Sequence, residues 1–296
     1  MSASTHTIHR SAIALLGVAA GLFGAIGPVR AQYTFTTVDV PGATRTEVNG
    51  NSPHAIAGEF DDADFNTHGF VLDNGVLTQI DVPGALTTTV NGINANGELA
   101  GIDVDARGGI HGYVWSNGTF TPLDVPGSIR TVAYFLNAHG QVVGAYRDVN
   151  NHRHGYVWSK GIFTTIDSPG PGTPGQTFTI GINDRGDVVG AHLGGEGNES
   201  GYLLSKKGVF TTIEPPAADA VTEAQGINDS GEIAGYYADA DGTSHGFVLS
   251  HGVYTPIEVP GAMFTEIYSI NAQGRVVGEY GDTDGTIHGV IGMPAH

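Results

Sequence analysis

The chain has 296 residues, of which 46 are glycine and none is cysteine, and its formal net charge at neutral pH is −18. The glycines do not recur at every third position, which excludes collagen, and without cysteine neither a disulfide scaffold nor a cysteine-ligated metal site can form. Twelve basic residues against 30 acidic ones repel phosphate, so we expect no nucleic-acid partner.

Residues 1–31 have the composition of a signal peptide. His9 and Arg10 precede a nearly uninterrupted apolar run, and Val29 and Ala31 put small side chains at the −3 and −1 positions of a cleavage site. We predict cleavage after Ala31 and a secreted or periplasmic protein, with an uncleaved anchor helix as the alternative. Cleavage leaves ten basic residues against 30 acidic ones, a net charge of −20, and no further segment that could span a membrane.

The remaining chain, residues 32–296, is predicted to be a single domain built from six copies of one unit. An acid-x-Pro segment recurs every 42 to 47 residues, with its prolines at Pro41, Pro83, Pro126, Pro169, Pro216 and Pro260. Two further markers in each unit are an asparagine and a glycine seven residues after it. The unit boundaries lie near 43–83, 85–126, 128–169, 170–216, 217–260, and 261–296 together with 33–41. Regular self-similarity of this period predicts a repeat architecture.

Each unit predicts four short antiparallel strands, called a to d here in chain order. In the second unit they are expected near residues 88–93, 98–104, 111–115 and 119–124, separated by turns that contain Asn-Gly or Asp-x-x-Gly. A proline ends strand d because it cannot donate to a sheet ladder. Four strands in about 43 residues is the size of one propeller blade.

The two ends of the repeat array complement each other. The last unit stops after its strand c, whereas Tyr33–Val40 has the pattern of a strand d with no blade before it. We therefore predict an all-β fold, a six-bladed β-propeller of four-stranded antiparallel blades, closed by the N-terminal strand pairing into the last blade. Closure leaves no open sheet edge. Another all-β repeat stack is the alternative.

A fourth marker is a tripeptide that begins with histidine at His68, His111, His154, His245 and His288. Its forms His-Gly-Phe and His-Gly-Tyr resemble the HAF-type extracellular repeat of exported bacterial proteins. The resemblance covers nearly the whole mature chain. It implies the repeat type and export, and it implies no activity and no site residues.

The repeated histidines and acids are predicted to be structural. The histidines begin strand c, away from the axis and too far apart to share a metal ion, so we expect each imidazole to bond to backbone within its own blade. The acids two residues before each repeated proline are expected on the outermost strand, where they accept hydrogen bonds from turn N–H groups. These acids are Asp39, Asp81, Asp124, Asp167, Glu214 and Glu258.

Two turns between strands b and c resemble the start of a calcium loop. They contain Asp239 and Asp241 before Gly242, and Asp282 and Asp284 before a second glycine. The further ligands of a calcium loop are missing, and aspartate is also common as the first residue of such a hairpin turn. We therefore predict hairpin turns, with weak calcium binding at the four aspartates as the alternative and no other cofactor.

The repeat is interrupted around the fourth unit, and loops that depart from a scaffold are where binding functions are commonly added. Three irregular loops there are expected to meet on one face of the propeller. The candidate ligand-binding residues in them are Gln176, His192, Glu196, Asn198, Glu199 and Asp219. Neutral variation of surface loops is the alternative explanation.

The sequence favours an exported, non-enzymatic, monomeric protein that binds a ligand, a glycan or a protein, or that serves as a surface structural module. One alternative is an extracellular carbohydrate-active hydrolase or lyase, which needs several carboxylates facing one pocket. The residues two before each repeated asparagine are expected to line the axis, and they are small or neutral, as at Gly92, Phe135 and Gly226. That observation disfavours the enzyme. A calcium-dependent adhesion module is the second alternative.

Overall fold

The computed structural model describes residues 33–169, 176–194, 198–216, 218 and 221–295, together with the backbone of residues 10–12. The predicted six-bladed β-propeller is confirmed: six antiparallel sheets surround a central channel, with strand a innermost and strand d outermost. The described residues contain no helix, and therefore none that could cross a membrane.

The strands, numbered in chain order, are β1 Arg10–Ala12, β2 Tyr33–Val38, β3 Arg45–Asn51, β4 Ala55–Asp61, β5 Thr67–Asp73, β6 Val76–Ile80, β7 Thr87–Ile93, β8 Leu99–Val104, β9 Ile110–Ser116, β10 Thr119–Leu123, β11 Arg130–Leu136, β12 Val142–Arg147, β13 Arg153–Ser159, β14 Ile162–Ile166, β15 Thr177–Ile182, β16 Val188–Leu193, β17 Glu199–Leu204, β18 Phe210–Ile213, β19 Val221–Ile227, β20 Ile233–Ala238, β21 Ser244–Ser250, β22 Val253–Ile257, β23 Phe264–Ile270, β24 Val276–Gly281 and β25 Ile287–Pro294.

Each blade is formed by four strands. Blades 1 to 5 contain β3–β6, β7–β10, β11–β14, β15–β18 and β19–β22, and blade 6 contains β23–β25 with β2 as its strand d. A single parallel pair, Glu199 with Val221, joins blades 4 and 5. Strand β1 pairs with β6 at the outer edge of blade 1, and the rest of the predicted signal peptide lies outside the described residues.

The N-terminal strand closes the ring as predicted. Tyr33–Val38 pairs antiparallel with the segment from Gly289 to Pro294. Tyr33 and Phe35 pack against the apolar core between blades 5 and 6, while Val38 and Val40 are buried in the core between blades 6 and 1. One short segment therefore contributes to two inter-blade cores, which explains how the ring can close without disulfides.

The glycine that follows each repeated asparagine by seven residues permits close packing within the blade. In blade 2 this residue is Gly101 in strand b, and a Cβ there would overlap the carbonyl oxygen of Thr89 in strand a. It would also lie 2.7 Å from the hydroxyl oxygen of Tyr113. That buried hydroxyl donates to the Thr89 carbonyl at 2.7 Å, so the glycine makes room for a tyrosine that ties strand c to strand a.

Every strand a contains a β-bulge, which inserts one residue into the ladder and changes which side chains face the channel. The residues after the bulge pack against the next inner strand; a Cβ at Gly92, for example, would lie 2.9 Å from the Cα of Phe135. These residues lie in the innermost strand, as expected, and most of them fill a narrow waist where inner strands touch instead of lining an open channel.

The repeated asparagines connect neighbouring blades at the end of strand a. Each Nδ2 of Asn94, Asn137, Asn183 and Asn228 donates to the carbonyl oxygen of the next asparagine along the ring, at 3.0 to 3.2 Å. Asn271 continues the series to the side chain of Asn51. In blade 1 the turn is one residue shorter, and Ser52 instead of Asn51 begins it. These bonds fix the blades at the side of the ring that carries the a–b turns, here called the turn face.

Candidate functional site

The half of the channel nearest the d–a and b–c loops, here called the loop face, contains a cavity of about 200 Å³. It is lined by side chains of strands a and b from several blades: Glu47, Asn49, Glu59, Asn91, Tyr134, Phe135, Ile180, Gln225 and Tyr268. Carboxylates, amides and aromatic rings thus converge on one partly open cavity, where the polar groups could orient a small ligand.

Five glutamates lie in strands a and b of three adjacent blades, and we call them the acidic arc: Glu47 and Glu59 of blade 1, Glu223 of blade 5, and Glu266 and Glu279 of blade 6. Glu47 and Glu59 line the cavity, whereas the other three are hydrogen-bonded to the lining residues Gln225 and Tyr268. The strand register determines their grouping, because Glu47 lies directly opposite Glu59 and Glu266 lies directly opposite Glu279. Like charges directly opposite one another destabilise a sheet, so the arrangement is costly for the fold.

Arg45 partly neutralises the blade 1 end of the arc. Its guanidinium donates to Glu59 Oε1 at 2.7 Å and to Asp61 Oδ2 at 2.9 Å, and it also contacts Glu47. Burial nevertheless raises the pKa of Glu59, and the attraction of Arg45 only partly opposes this effect. One arginine shared among three carboxylates leaves this end of the arc with net negative charge.

Glu266 and Glu279, the blade 6 members of the arc, have no basic side chain in contact among the described residues. The hydroxyl of Tyr268 lies 2.8 Å from Glu266 Oε2 and 2.9 Å from Glu279 Oε1. Since one hydroxyl has a single proton to donate, two ionised carboxylates would leave one oxygen without a donor. Burial raises the pKa of Glu279, which is 7% exposed, to about 7, so its carboxyl group retains its proton up to neutral pH. Among the described residues its Oε2 has no hydrogen-bond partner.

Glu223 completes the arc on blade 5. Burial raises the pKa of Glu223 to about 7, with repulsion by Glu199 as the second cause. Gln225 donates to it at 2.6 Å, and Tyr236 is also hydrogen-bonded to it. The rings of Tyr236 and Tyr268 pack edge to face with centroids 6.3 Å apart, which connects the glutamates of blades 5 and 6.

The structure brings together the described members of the predicted loop site. Thr177 pairs with His192 and Leu193 pairs with Glu199, while the Leu193 amide donates to the Gln176 carbonyl at 3.0 Å. Asn198 follows in the same loop as an exposed residue, and the Nδ1 of His192 is buried without a partner among the described residues. Glu196 and Asp219 lie outside the described residues. A ligand at this site stays a prediction, although Glu199 connects it to the acidic arc.

The perimeter histidines have different partners from those predicted. In each of the five blades that have one, Nδ1 lies 2.8 to 2.9 Å from the acid before the repeated proline. The Nε2 faces the first aspartate of the b–c turn, as between His245 and Asp239 at 3.0 Å. We expected the imidazoles to bond to backbone groups and the acids before the prolines to accept bonds from turn N–H groups. Both expectations are wrong, because in each of these five blades the histidine contacts the two acids instead.

The aspartates considered for calcium form ordinary turns. Asp239 Oδ1 accepts the backbone N–H groups of Asp241 and Thr243, and Asp282 makes the equivalent bonds at the end of the chain. Within the described residues, no group of three or more histidine, aspartate or glutamate side chains is arranged to hold a metal ion. Calcium binding at Asp239, Asp241, Asp282 and Asp284 stays a prediction.

The acidic arc itself was missed from the sequence, although a signal is present. Strand a begins Thr-Glu in three units, at Glu47, Glu223 and Glu266, whereas the equivalent residues in the other units are Thr89, Val132 and Phe178. The glycine of strand b is followed by glutamate in two of these three units. Aligning the units by strand register, instead of by the asparagine, would have exposed this pattern.

No family model matches the chain, and no curated protein matches its sequence. Among solved structures, the chain is similar to the six-bladed lectin of Aleuria aurantia, with 13% identity over 83% of this chain and 91% of that chain and a TM-score of 0.53. It is also similar to TolB of Acinetobacter baumannii, with 12% identity over 81% of this chain and 63% of that chain and a TM-score of 0.55. Virginiamycin B lyase of Staphylococcus aureus shares 10% identity over 87% and 88%, with a TM-score of 0.50. At these identities the likeness shows the propeller fold alone.

Proposed function

We propose that the protein binds a small organic cation in its central channel, with the acidic arc as the recognition element. The observation that supports this proposal is a set of half-buried or buried glutamates on three adjacent blades, of which Glu47 and Glu59 line the cavity. Glu279 is the buried one, and its Oε2 has no hydrogen-bond partner among the described residues. Buried charges are normally paired. Among the described residues, the acidic arc has too few cationic side chains to pair its glutamates, and a cationic ligand would supply the missing positive charge.

The size and lining of the cavity narrow the ligand class. A cavity of about 200 Å³ is smaller than the ~300–1,000 Å³ typical of drug-sized ligands, so it suits a single ring or a short chain. The amides of Asn49, Asn91 and Gln225 offer donors and acceptors for hydroxyl groups, and Tyr134 and Tyr268 offer aromatic faces to an ammonium group. An amine-bearing polyol, such as an amino sugar, fits this chemistry.

Binding of a cation is coupled to proton release. The raised pKa values of Glu223 and Glu279 mean that both carboxyls are partly protonated at pH 7. A cation beside them favours the ionised form and lowers each pKa, so protons leave when the ligand enters. A neutral sugar of the same shape would cause no such release.

The test is calorimetric titration of glucosamine at pH 7 in two buffers of different ionisation enthalpy, with glucose as the neutral probe. We expect saturable binding of glucosamine with proton release, and binding of glucose at least tenfold weaker. Glu266→Gln should weaken glucosamine binding, whereas Asp64→Asn, which removes an exposed acid from a turn of blade 1, should not. Equal affinity for both sugars, or no saturable binding of glucosamine, would contradict the proposal.

A second candidate function is acid–base catalysis on a carbohydrate. It is favoured by the pair Glu266 and Glu279, in which one hydroxyl bridges two carboxyl groups and one of the two keeps its proton, as general acid–base pairs require. Binding is the better supported function because the glutamates of the arc that line the cavity are Glu47 and Glu59, whereas neither Glu266 nor Glu279 lines it. Hydrolysis of chromogenic glycosides that Glu266→Gln abolishes without abolishing glycoside binding would establish catalysis instead.

A further inference from the structure

Three arginines stand side by side at the loop-face end of blade 3. Arg130 in β11 lies directly opposite Arg147 in β12, which lies directly opposite Arg153 in β13. Residues opposite one another in antiparallel strands have Cβ atoms about 4.5–5.5 Å apart on the same side of the sheet. The three guanidinium groups therefore share one small region, here called the arginine row.

The arginine row has no carboxylate partner within ion-pair distance among the described residues, although the chain is strongly acidic. Arg147 instead donates twice to Asn151, and the guanidinium of Arg153 stacks on the ring of Phe178 in blade 4 at 3.8 Å. Burial, and then the charge of Arg147, lower the pKa of Arg153. Glu199 attracts Arg153 electrostatically, but the two side chains make no direct ion pair.

The equivalent positions show that this cluster is particular to blade 3. Blade 1 carries Arg45 opposite Asp61, a pair of opposite charges, and blade 2 carries Thr87 opposite Val104. Like charges directly opposite one another cost stability, whereas the pair in blade 1 contributes to it. The arginine row destabilises blade 3, and no other described blade repeats it. Such a costly local feature is commonly retained because it serves a function.

The row borders a cleft of about 30 Å³ that is lined by the three arginines together with Val132, Tyr134, Ala145, Tyr146 and Phe178. This volume holds about two water-sized groups, which suits a compact oxyanion. Arginine forks match the oxygen geometry of carboxylate, sulfate and phosphate, and aromatic walls limit competition from water.

We propose that the arginine row is an anion-binding site for the carboxylate, sulfate or phosphate group of a small ligand. The proposal is independent of cation binding by the acidic arc, because it uses different residues on a different blade. The two sites are nevertheless adjacent, since Tyr134 lines both the cleft and the channel cavity. A ligand that carries both charges could therefore span them.

The test is calorimetric titration with sulfate, phosphate and acetate at constant ionic strength. We expect saturable binding of at least one anion, a melting temperature that rises with its concentration, and affinity at least tenfold weaker in Arg147→Gln and Arg130→Gln. Arg107→Gln removes the same charge from an exposed turn of blade 2 and should bind as the parent does. Arg147→Lys should bind less well than the parent because it loses the bidentate fork.

Two results would overturn the anion site. One is the absence of saturable binding by all three anions, and the other is an equal loss of affinity in Arg107→Gln, which would show that only net charge matters. If the row variants fail to fold, the parent still decides the matter: an anion-dependent rise in its melting temperature that equal concentrations of chloride reproduce would also contradict a built site.

Discussion

Replacing Glu279 with glutamine should stabilise the protein in a pH-dependent way. Its pKa is about 7 in the folded protein against an ordinary value of 4.5. Between these values the native state keeps a proton that the unfolded chain has released, so stability falls as the pH rises through this window. Above it, the folded protein carries a buried charge that the unfolded chain can solvate.

The size of the effect follows from the difference in pKa. One pKa unit corresponds to ~1.4 kcal/mol, so the ionised Glu279 costs on the order of 3 kcal/mol at pH 8. At pH 5 the folded carboxyl is neutral, and the cost is below about 1 kcal/mol. Glutamine has almost the same shape, accepts the bond from Tyr268 and carries no charge. Glu279→Gln should therefore gain about 2 kcal/mol more, relative to the parent, at pH 8 than at pH 5.

Urea unfolding followed by tryptophan fluorescence at pH 5, 6, 7 and 8 measures this difference directly. Asp64→Asn removes an exposed acid, so it is the matched control for a change of net charge and should show no such trend. The reasoning is refuted if the gain of Glu279→Gln is the same at pH 5 and pH 8, or if the variant is less stable than the parent at pH 8.

The perimeter histidines should make the parent respond to pH in the same direction. Hydrogen bonds and attraction from two acids outweigh burial and raise the pKa of His68, His245 and His288 in the folded state. Their contribution to stability is complete below the unfolded pKa of about 6.5 and disappears as the pH rises through the folded values. The turn aspartates act at the acid end, because hydrogen bonds lower the pKa of Asp239, and this contribution disappears below about pH 4. Since the raised pKa of Glu279 makes stability fall from about pH 4.5 upward, maximum stability is expected between about pH 4 and pH 5.

Three further outcomes are expected. Deletion of residues 1–40 should lower the melting temperature sharply relative to deletion of residues 1–31, since only the first removes the closing strand; equal melting would contradict ring closure as a source of stability. Asn137→Asp keeps the turn-capping oxygen but loses the bond to the next blade, so urea unfolding should show a loss of at least about 2 kcal/mol, whereas Asn96→Asp, at an exposed bond of equal length, should lose little. Calcium and a chelator should leave the melting temperature unchanged, because the turn aspartates already accept backbone donors; a rise with calcium would revive the metal site.

The architecture could be predicted because the chain contains six copies of its own pattern. Strand lengths, turn types and the closing role of Tyr33–Val40 follow from local chemistry that every unit repeats, and the structure confirms them. The bulge in strand a could not be predicted in the same way. It carries no glycine or proline of its own in blade 3, where it falls between Ala133 and Phe135, and it moves the channel wall by one residue.

The site was harder to predict because its residues are departures within strands, where repeats are expected to be most uniform. Departures in loops pointed to the blade 4 loops and to Glu199 among their residues, and a ligand site there stays a prediction. Glu266 and Glu279 were not located, since a glutamate in a strand of alternating polarity is normally a solvent-facing residue. Only the ring geometry shows that the inner end of such a strand faces a confined channel.

The distribution of charged residues around the ring distinguishes those that recur in every blade from those that form the candidate sites. Acids at the perimeter are repeated in every blade, and in five blades they are neutralised locally by a histidine. Acids of the arc occur in blades 5, 6 and 1, and the arginine row occurs in blade 3, which lies across the ring from blade 6. Repulsion between like charges within each cluster raises the energy of the folded protein. A positive charge would reduce this repulsion in the acidic arc, and a negative charge would reduce it in the arginine row. Since no direct ion pair joins the two clusters among the described residues, we expect a ligand that carries both charges to satisfy both.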